Sequence, residues 1–397
     1  MKTLLLIPSY AKANVDAEIA ADRHPTMDYQ ALAAALADGQ ATTVELLDYS
    51  SVDQERHPAV QLACKLAGKD TALALMAFLR CNEFDSIFTN AEKISLPLAM
   101  LLGTVPHRPR HVTIAHRLTA KKKRVFYRWL KLHRQMDTIF LYSSAQHEFA
   151  CTELQIPRDV LRLIPFHADH RFFRPLEEVE PQDQQICAAG LEWRDYPTLV
   201  KAVSELKELC VKLAAASPWS KHKSELGDRV LPPHVDARAY NYNELRTLYA
   251  ESSFVVVPLY QNDFQAGVTT ILEAMAMGKA VIVSGTIGQT DIIVHEQNGL
   301  YVAPGDVQGL RVAVERLRSD AALRKRLGLA ARRWVEEHAT LNRWVGDIVA
   351  GLHGVSSPKP RTTRVLHSPR TSRPMAEPTA PIAASFSARL ASTPFAN

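Results

Sequence analysis

Short apolar or β-branched runs alternate with amphipathic stretches along most of the chain. The first predicted strand covers residues 3–8, and the following helical segment, 28–36, places Tyr29, Leu32 and Leu36 on one face. Further strands in the first half are predicted at 43–47, 86–89, 111–115, 138–142 and 160–165. Because helical segments separate these strands, the pattern predicts a parallel sheet with helices on both faces.

The alternation stops at residues 175–185, where acidic residues and prolines predict a linker, and it restarts at residue 186. We therefore expect an N-terminal domain at 1–174 and a C-terminal domain at 186–354, both doubly wound α/β domains. Residues 355–397 have no periodicity and little apolar surface, which predicts a disordered, basic tail. In two such domains that face a cleft, ligands bind beyond the carboxyl ends of the strands.

Composition narrows the class of protein. The chain has 397 residues, of which 47% are hydrophobic and 22% charged, values that exclude a fully disordered, collagen-like or disulfide-framework protein. Five scattered cysteines without a CxxC pair favour a reduced, cytosolic setting. The longest apolar stretch, 96–105, is shorter than the roughly 20 residues of a membrane-spanning helix. No signal-peptide pattern is found at the N-terminus.

Basic charge is concentrated in one segment. From Lys121 to Arg134 the pattern predicts a helix in which many cations flank Val125, Trp129 and Leu132 on one face. Three interpretations stay open. Trp129 and Leu132 pack into the core below a solvated face, or the helix contacts an anionic membrane or a lipid-linked acceptor, or it binds nucleic acid, for which no motif is found.

A predicted strand at 255–259 runs into a loop that enters a helix. Gly267 lies in the loop, and Thr269 or Thr270 is predicted to cap the helix. Free amides at such a helix start bind an anion such as a diphosphate, and Glu273, one turn along, can accept hydrogen bonds from ribose hydroxyls. Spacing alone also allows an ordinary strand–loop–helix unit with a surface glutamate.

Residues 258–306, PLYQNDFQAGVTTILEAMAMGKAVIVSGTIGQTDIIVHEQNGLYVAPGD, resemble the signature of retaining glycosyltransferases of family 4 (glycosyl transferases group 1), which have the GT-B fold. In that family two glutamates are separated by seven residues. The second matches Glu273 and implies a contact to the nucleotide ribose. The first falls on Gln265, which retains hydrogen-bonding capacity but lacks the negative charge. The backbone of Ala266, Gly267 and Val268 matches the segment that approaches the donor sugar.

Three further positions bear on the resemblance. Arg194, after the predicted strand 186–190, is similar to a basic residue that neutralises the diphosphate in this family. His116, at the end of the predicted strand 111–115, is similar in placement to a histidine that faces the transferred sugar, although a structural histidine is the alternative. The family's glycine-rich loop after the first strand is missing, and Lys12 is a candidate substitute as a phosphate contact.

The resemblance implies two Rossmann-like domains and a retaining transfer of a sugar from a nucleoside-diphosphate sugar, favouring a lipid-linked or cell-envelope acceptor. We expect His116 and Gln265 to be catalytic and a second set of residues to bind the nucleotide-sugar: Arg194, Ala266, Gly267, Val268, Thr269 and Glu273. No cofactor and no metal are expected, because no acidic or histidine cluster has ligand spacing and the family's fold works without a metal.

Two other functions stay open. A sugar-nucleotide-binding or scaffold protein with weak catalysis is suggested by Gln265 and by the missing glycine-rich loop. A nucleic-acid-modifying glycosyltransferase is suggested by the basic segment and tail. For the favoured function, the expected location is the cytoplasm, with peripheral contact at the inner face of the membrane.

Overall fold

A computed structural model describes residues 1–11, 15–38, 43–216 and 230–355. Two parallel six-stranded sheets organise these residues, in the orders β2-β1-β3-β4-β5-β6 and β12-β11-β10-β7-β8-β9. The first sheet contains β1 (Lys2–Leu6), β2 (Thr43–Leu47), β3 (Ser86–Thr89), β4 (Arg110–Ala115), β5 (Thr138–Leu141) and β6 (Leu161–Leu163). The second contains β7 (Gln182–Ala189), β8 (Cys210–Ala216), β9 (Val235–Ala239), β10 (Ser252–Val257), β11 (Ala280–Ser284) and β12 (Leu300–Val302).

Helices cover both faces of each sheet. In the first half they are α1 (Asp16–Ala20), α2 (Asp28–Asp38), α3 (Tyr49–Gln54), α4 (Pro58–Leu79), α5 (Glu92–Leu102), α6 (Lys121–Arg128) and α7 (Ser144–Thr152). In the second half they are α8 (Tyr196–Val203), α9 (Tyr242–Glu251), α10 (Val268–Ala276), α11 (Val307–Ser319), α12 (Ala321–His338) and α13 (Leu341–His353). The predicted fold class, two doubly wound α/β domains, is confirmed.

The strands are buried on both faces, which explains why the sequence shows them as apolar runs rather than as alternating patterns. Every residue of β10 is buried, as is every residue of β3 and β5. Strand order reverses between β1 and β3 and again between β7 and β10. Such reversals open a crevice at the carboxyl ends of the strands, where the candidate site lies.

The last helix returns to the first sheet. Trp344 and Ile348 of α13 join Phe88 and Phe140 in one core cluster. A Cβ atom at Gly351 would lie 2.8 Å from the ring of Phe140, so this close packing requires glycine. The predicted domain limits 1–174, 175–185 and 186–354 remain a prediction, and Lys12 and nearly all of the tail 355–397 lie outside the described residues.

The basic helix is shorter than its sequence pattern predicts. It ends at Arg128, and Lys131 adopts a left-handed conformation with φ 49° before a 3₁₀ turn. This break lets Leu132 enter the core beside Met136, whereas Trp129 is 74% exposed. The interpretation in which both side chains pack into the core is therefore right for Leu132 and wrong for Trp129.

Candidate active site

A cavity of about 790 Å³ lies between the two sheets, and we call it the central cavity. His116 and Phe166 line it from the first half of the chain, and the ends of β7 and β9 with the start of α10 line it from the second half. The predicted site residues all line this cavity: His116, Arg194, Gln265, Ala266, Gly267, Val268, Thr269 and Glu273. The structure thus brings them together, and their roles remain predictions.

The loop after β10 enters α10 through Gly267, not through a capping threonine. Gly267 is the N-cap residue with φ 77°, and no side chain caps the helix, so the predicted cap at Thr269 or Thr270 is wrong. A Cβ atom at Gly267 would approach Val257 and Leu259 within about 3 Å, so close packing on β10 as well as the positive φ favours glycine. The first helical bond runs from the Ile271 amide to the Gly267 carbonyl at 3.0 Å. The Val268 amide donates to the Gln265 carbonyl at 3.4 Å, whereas helix geometry leaves the amides of Thr269 and Thr270, two residues that line the cavity, without partners in the helix.

Arg194 forms the floor beside this helix start. Its Nε donates to the Ala189 carbonyl at 2.7 Å, and Nη1 donates to the Glu192 carbonyl at 2.8 Å. Nη2 donates to Oγ1 of Thr270 at 3.0 Å, which ties the end of β7 to the first turn of α10. Burial lowers the pKa of Arg194. The side chain therefore places a positive charge beneath the helix start and also holds the two elements together.

Glu273 lies one turn along α10 and is 7% exposed. Tyr249 donates a hydrogen bond to Oε2 at 3.0 Å, and Arg194 provides the nearest favourable charge. Burial nevertheless raises the pKa of Glu273 to about 7. The surface position that spacing alone allowed is wrong, because Glu273 is a buried carboxyl at the cavity wall.

Gln265 also lines the central cavity. Its Oε1 is buried and has no hydrogen-bond partner among the described residues. The loop around it is held in place, since Gln289 donates to the Ala266 carbonyl and a Cβ atom at Gly288 would overlap the Phe264 backbone. This buried oxygen thus lacks the hydrogen bond that buried polar atoms normally make, on a loop that is held in place.

His116 follows β4 and faces this loop from the other side of the cavity. Its Nε2 lies 3.1 Å from the Asn90 carbonyl, and the ring is exposed. Behind it, the buried carboxylate of Glu92 accepts from the Arg117 amide at 2.8 Å and from Nζ of Lys123 at 2.9 Å. Burial acts to raise the pKa of Glu92, but the charges of Lys123 and His116 hold it below its ordinary value. Glu92 therefore fixes the segment that carries His116.

Arg117 spans the cleft beside the cavity. Its guanidinium lies 4.9 Å from the Phe264 ring centre and 5.4 Å from that of Trp193, and Nη2 lies 3.0 Å from Oδ1 of Asp263. Gln146 adds a hydrogen bond from Nε2 to the Asp263 carbonyl at 2.6 Å. These contacts fix the loop that bears Gln265 against the N-terminal half.

Several residues that line the central cavity are not identified from the sequence. Tyr240, Asn241 and Tyr242 follow β9, an edge strand whose residues after Val235 are exposed. Because that strand is short and largely polar, it carries no apolar run. The signal that could have located this wall is the capping box of Asn241 and Glu244, which marks the start of α9.

Two features are absent from the part of the chain that the structure describes. No group of three or more His, Cys, Asp or Glu side chains there is placed to hold a metal ion. None of the helices described is both long and apolar enough to cross a bilayer.

Comparison with known proteins matches residues 184–320 to the family Glycosyl transferases group 1. The chain is 29% identical over 135 residues to the lipopolysaccharide core biosynthesis glycosyltransferase LpsD of Rhizobium meliloti, a match that covers 34% of this chain and 38% of LpsD. It is 36% identical over 97 residues to an uncharacterised glycosyltransferase of Methanocaldococcus jannaschii, covering 24% of each chain. The chain thus matches well under half of the length of these relatives.

Solved structures share the fold over nearly the whole chain. A sucrose-phosphate synthase from Thermosynechococcus elongatus has a TM-score of 0.66 at 17% identity, covering 89% of this chain and 100% of that one. Anabaena HepE in complex with UDP-glucose has a TM-score of 0.65 at 16% identity, covering 88% of this chain and 99% of HepE. At these identities the likeness shows the GT-B fold.

Proposed function

We propose that this chain, whose residues 184–320 belong to the family Glycosyl transferases group 1, is a glycosyltransferase that uses a nucleoside-diphosphate sugar. The proposal rests on one observation. The start of α10, the guanidinium of Arg194 and the buried carboxyl of Glu273 meet in one cavity, opposite His116. The solved structure of HepE with UDP-glucose, which has the same fold, supports this class of donor.

The arrangement matches the charges that develop when the bond between sugar and diphosphate breaks. Negative charge grows on the leaving diphosphate, and positive charge grows on the sugar ring. The start of α10 carries about half an elementary positive charge, and Arg194 adds a full one beneath it. Groups fixed in advance around the developing charge stabilise the transition state strongly in a site that excludes water. Glu273, when ionised, accepts hydrogen bonds from the ribose.

The finer parts of the proposal are retention of the anomeric configuration and a lipid-linked or cell-envelope acceptor. The resemblance of residues 258–306 supports retention, with His116 and Gln265 flanking the transferred sugar. The partial match to a lipopolysaccharide core glycosyltransferase supports the acceptor. We also propose that the segment from Lys121 to Arg134 holds the protein at an anionic membrane surface, since Trp129 is exposed beside its cations.

A donor panel tests the central proposal. Purified protein is incubated with UDP-, GDP-, ADP- and dTDP-sugars, with and without cell extract, and release of the nucleoside diphosphate is followed by mass spectrometry. At least one sugar nucleotide should be consumed, and Glu273→Ala should weaken nucleotide binding about tenfold or more, the equivalent of one lost hydrogen bond to a charged group. Glu315→Ala, at an exposed carboxylate on α11, is the matched control. No turnover together with unchanged binding by Glu273→Ala contradicts the proposal.

Gln265 supports a second candidate, a sugar-nucleotide-binding protein with weak catalysis. A neutral amide lies at the position where the family's glutamate faces the donor sugar, and its buried oxygen has no partner among the described residues. The Gln265→Glu variant separates the two functions. Tight binding without transfer in both proteins favours the binding function, whereas efficient transfer by the wild-type protein contradicts it.

A further inference from the structure

The N-terminal half contributes a short segment to the wall of the central cavity, and we call this segment, residues 15–27, the strap. It follows β1 in the chain and contains α1 (Asp16–Ala20). Three of its side chains, Glu18, Arg23 and His24, line the cavity. The strap therefore places charged groups from the first half of the chain in the same cavity as the nucleotide-binding candidates of the second half.

Two residues of the strap are fixed to α9 of the second half. The Asp22 carboxylate lies 2.9 Å from Nη1 of the buried Arg246, whose Nη2 donates to the Asp22 carbonyl at 2.8 Å. The ring of His24 packs edge-on against Tyr242, with 4.5 Å between the ring centres. Arg23 lies between these two anchored residues. Its backbone is therefore held in place, while its side chain lines the cavity.

The Arg23 side chain has a partner that a ligand can replace. Its Nε donates to Oε2 of Glu18 at 2.9 Å and Nη2 donates to Oε1 at 2.8 Å, so the planar guanidinium holds both carboxylate oxygens. The two side chains are 55% and 47% exposed, and water screens an ion pair at such a position. Breaking the pair therefore costs little. The same planar group binds two oxygens of a phosphate in the same bidentate manner.

The described lining of the central cavity contains two lysine or arginine residues, Arg23 and Arg194. Arg194 is 6% exposed, and three of its five N–H groups already donate to atoms of the protein. Its charge acts on the cavity, but most of its donors are occupied. Three acidic residues line the same cavity, Glu18, Glu192 and Glu273, so Arg194 alone does not balance the charges of a diphosphate. Arg23 is the second cation in this lining, and its partner is exchangeable.

We propose that Arg23 is a further donor-binding residue, whose guanidinium leaves Glu18 and binds the diphosphate of the nucleotide-sugar. The inference deepens the proposed function and rests on it. Negative charge grows on the diphosphate as the bond to the sugar breaks, and a cation held beside it stabilises that charge. Because the strap is anchored to α9, groups from both halves of the chain then hold the diphosphate. In the free protein Glu18 orients Arg23 and competes with the ligand for it.

Nucleotide binding without an acceptor tests the inference on the full chain. UDP, GDP, ADP and dTDP are titrated into the wild-type protein by calorimetry, and the tightest of them is compared with its own nucleoside. Arg23→Gln should weaken diphosphate binding about tenfold or more, the equivalent of one lost hydrogen bond to a charged group, and should leave nucleoside binding unchanged. Arg23→Lys keeps the charge without the planar fork, so its affinity should fall between the two.

A change at Glu18 should act in the opposite direction. Glu18→Gln removes the carboxylate that competes for Arg23, so it should tighten diphosphate binding by up to about fivefold. A residue that only supports the strap has no reason to give effects of opposite sign in the two variants. The matched controls are Arg316→Gln and Glu296→Gln, at an exposed ion pair outside the lining of the central cavity, and both should bind like the wild type.

Three results would overturn the inference. They are wild-type binding of the diphosphate by Arg23→Gln, equal weakening of nucleoside and diphosphate by Arg23→Gln, and weaker diphosphate binding by Glu18→Gln. In each case Glu273→Ala still reports on the proposed function, because it should weaken nucleotide binding whether or not Arg23 takes part. If the wild-type protein binds none of the four nucleotides, the proposed function and this inference are wrong together.

Discussion

Substitution of Glu273 by glutamine should make the protein more stable at alkaline pH while weakening the binding of a nucleotide. The buried carboxyl has a pKa raised to about 7, compared with 4.5 for the free side chain. Between these two values the folded chain holds a proton that the unfolded chain has released. Stability therefore falls as pH rises through this window, and the loss is complete above about pH 7.

The size of the effect follows from the two pKa values. A difference of 2.5 at about 1.4 kcal/mol for each pH unit corresponds to about 3 kcal/mol of stability lost on ionisation of Glu273. Glutamine keeps an oxygen that can accept the hydrogen bond from Tyr249 but does not ionise. The variant should therefore match the wild type near pH 4 and exceed it by up to about 3 kcal/mol near pH 8.

Urea denaturation at a series of pH values measures this difference, with Glu315→Gln as the exposed control. A nucleotide whose ribose hydrogen-bonds to ionised Glu273 should also bind more tightly as pH rises from about 6 to about 8, and this trend should disappear in the glutamine variant. Parallel stability profiles for the wild type and Glu273→Gln would refute the argument, because they would show that ionisation of this carboxyl has no cost.

Two further predictions concern the walls of the central cavity. Gly190→Ala should destabilise the protein by about 1–3 kcal/mol and weaken nucleotide binding, because φ is 96° and a Cβ atom would overlap Nη2 of Arg194. Thermal unfolding measures the change in stability. The control is Gly346→Ala, which has open space around it and should be neutral or stabilising. Arg117→Ala should change stability by less than about 1 kcal/mol but raise the KM for the nucleotide-sugar, since the loop with Phe264 loses its contact across the cleft. An unchanged KM would show that this contact does not position the loop.

Much of the fold can be predicted from the sequence because both sheets are parallel and covered on two faces. Burial on both sides makes a strand an apolar run, and the predicted limits 43–47 and 86–89 coincide with β2 and β3. The edge strand β9 could not be found in this way, since it is largely exposed. Helix α13 is not predicted from the sequence either, and its packing on the first sheet carries no local signal, because the strands that it contacts lie far away along the chain.

The sequence predicts which residues form the candidate site, but it does not predict their burial or their hydrogen bonds. Spacing and resemblance single out Arg194, Gly267 and Glu273, and the structure places all three around one cavity. Their hydrogen bonds depend on residues distant in sequence, such as Tyr249 opposite Glu273. The sequence does not show that Glu273 is buried, which is what raises its pKa. Nor does it show that the Arg194 guanidinium donates to backbone carbonyls.

A crystal structure with a bound nucleoside diphosphate is the most direct test of the central claim. The diphosphate should lie against the amides of Gly267, Val268 and Thr269 at the start of α10, above the guanidinium of Arg194. Both ribose hydroxyls should lie within hydrogen-bond distance of the Glu273 carboxylate. A nucleotide bound outside the cavity between the two sheets, or a ribose turned away from Glu273, would contradict the account.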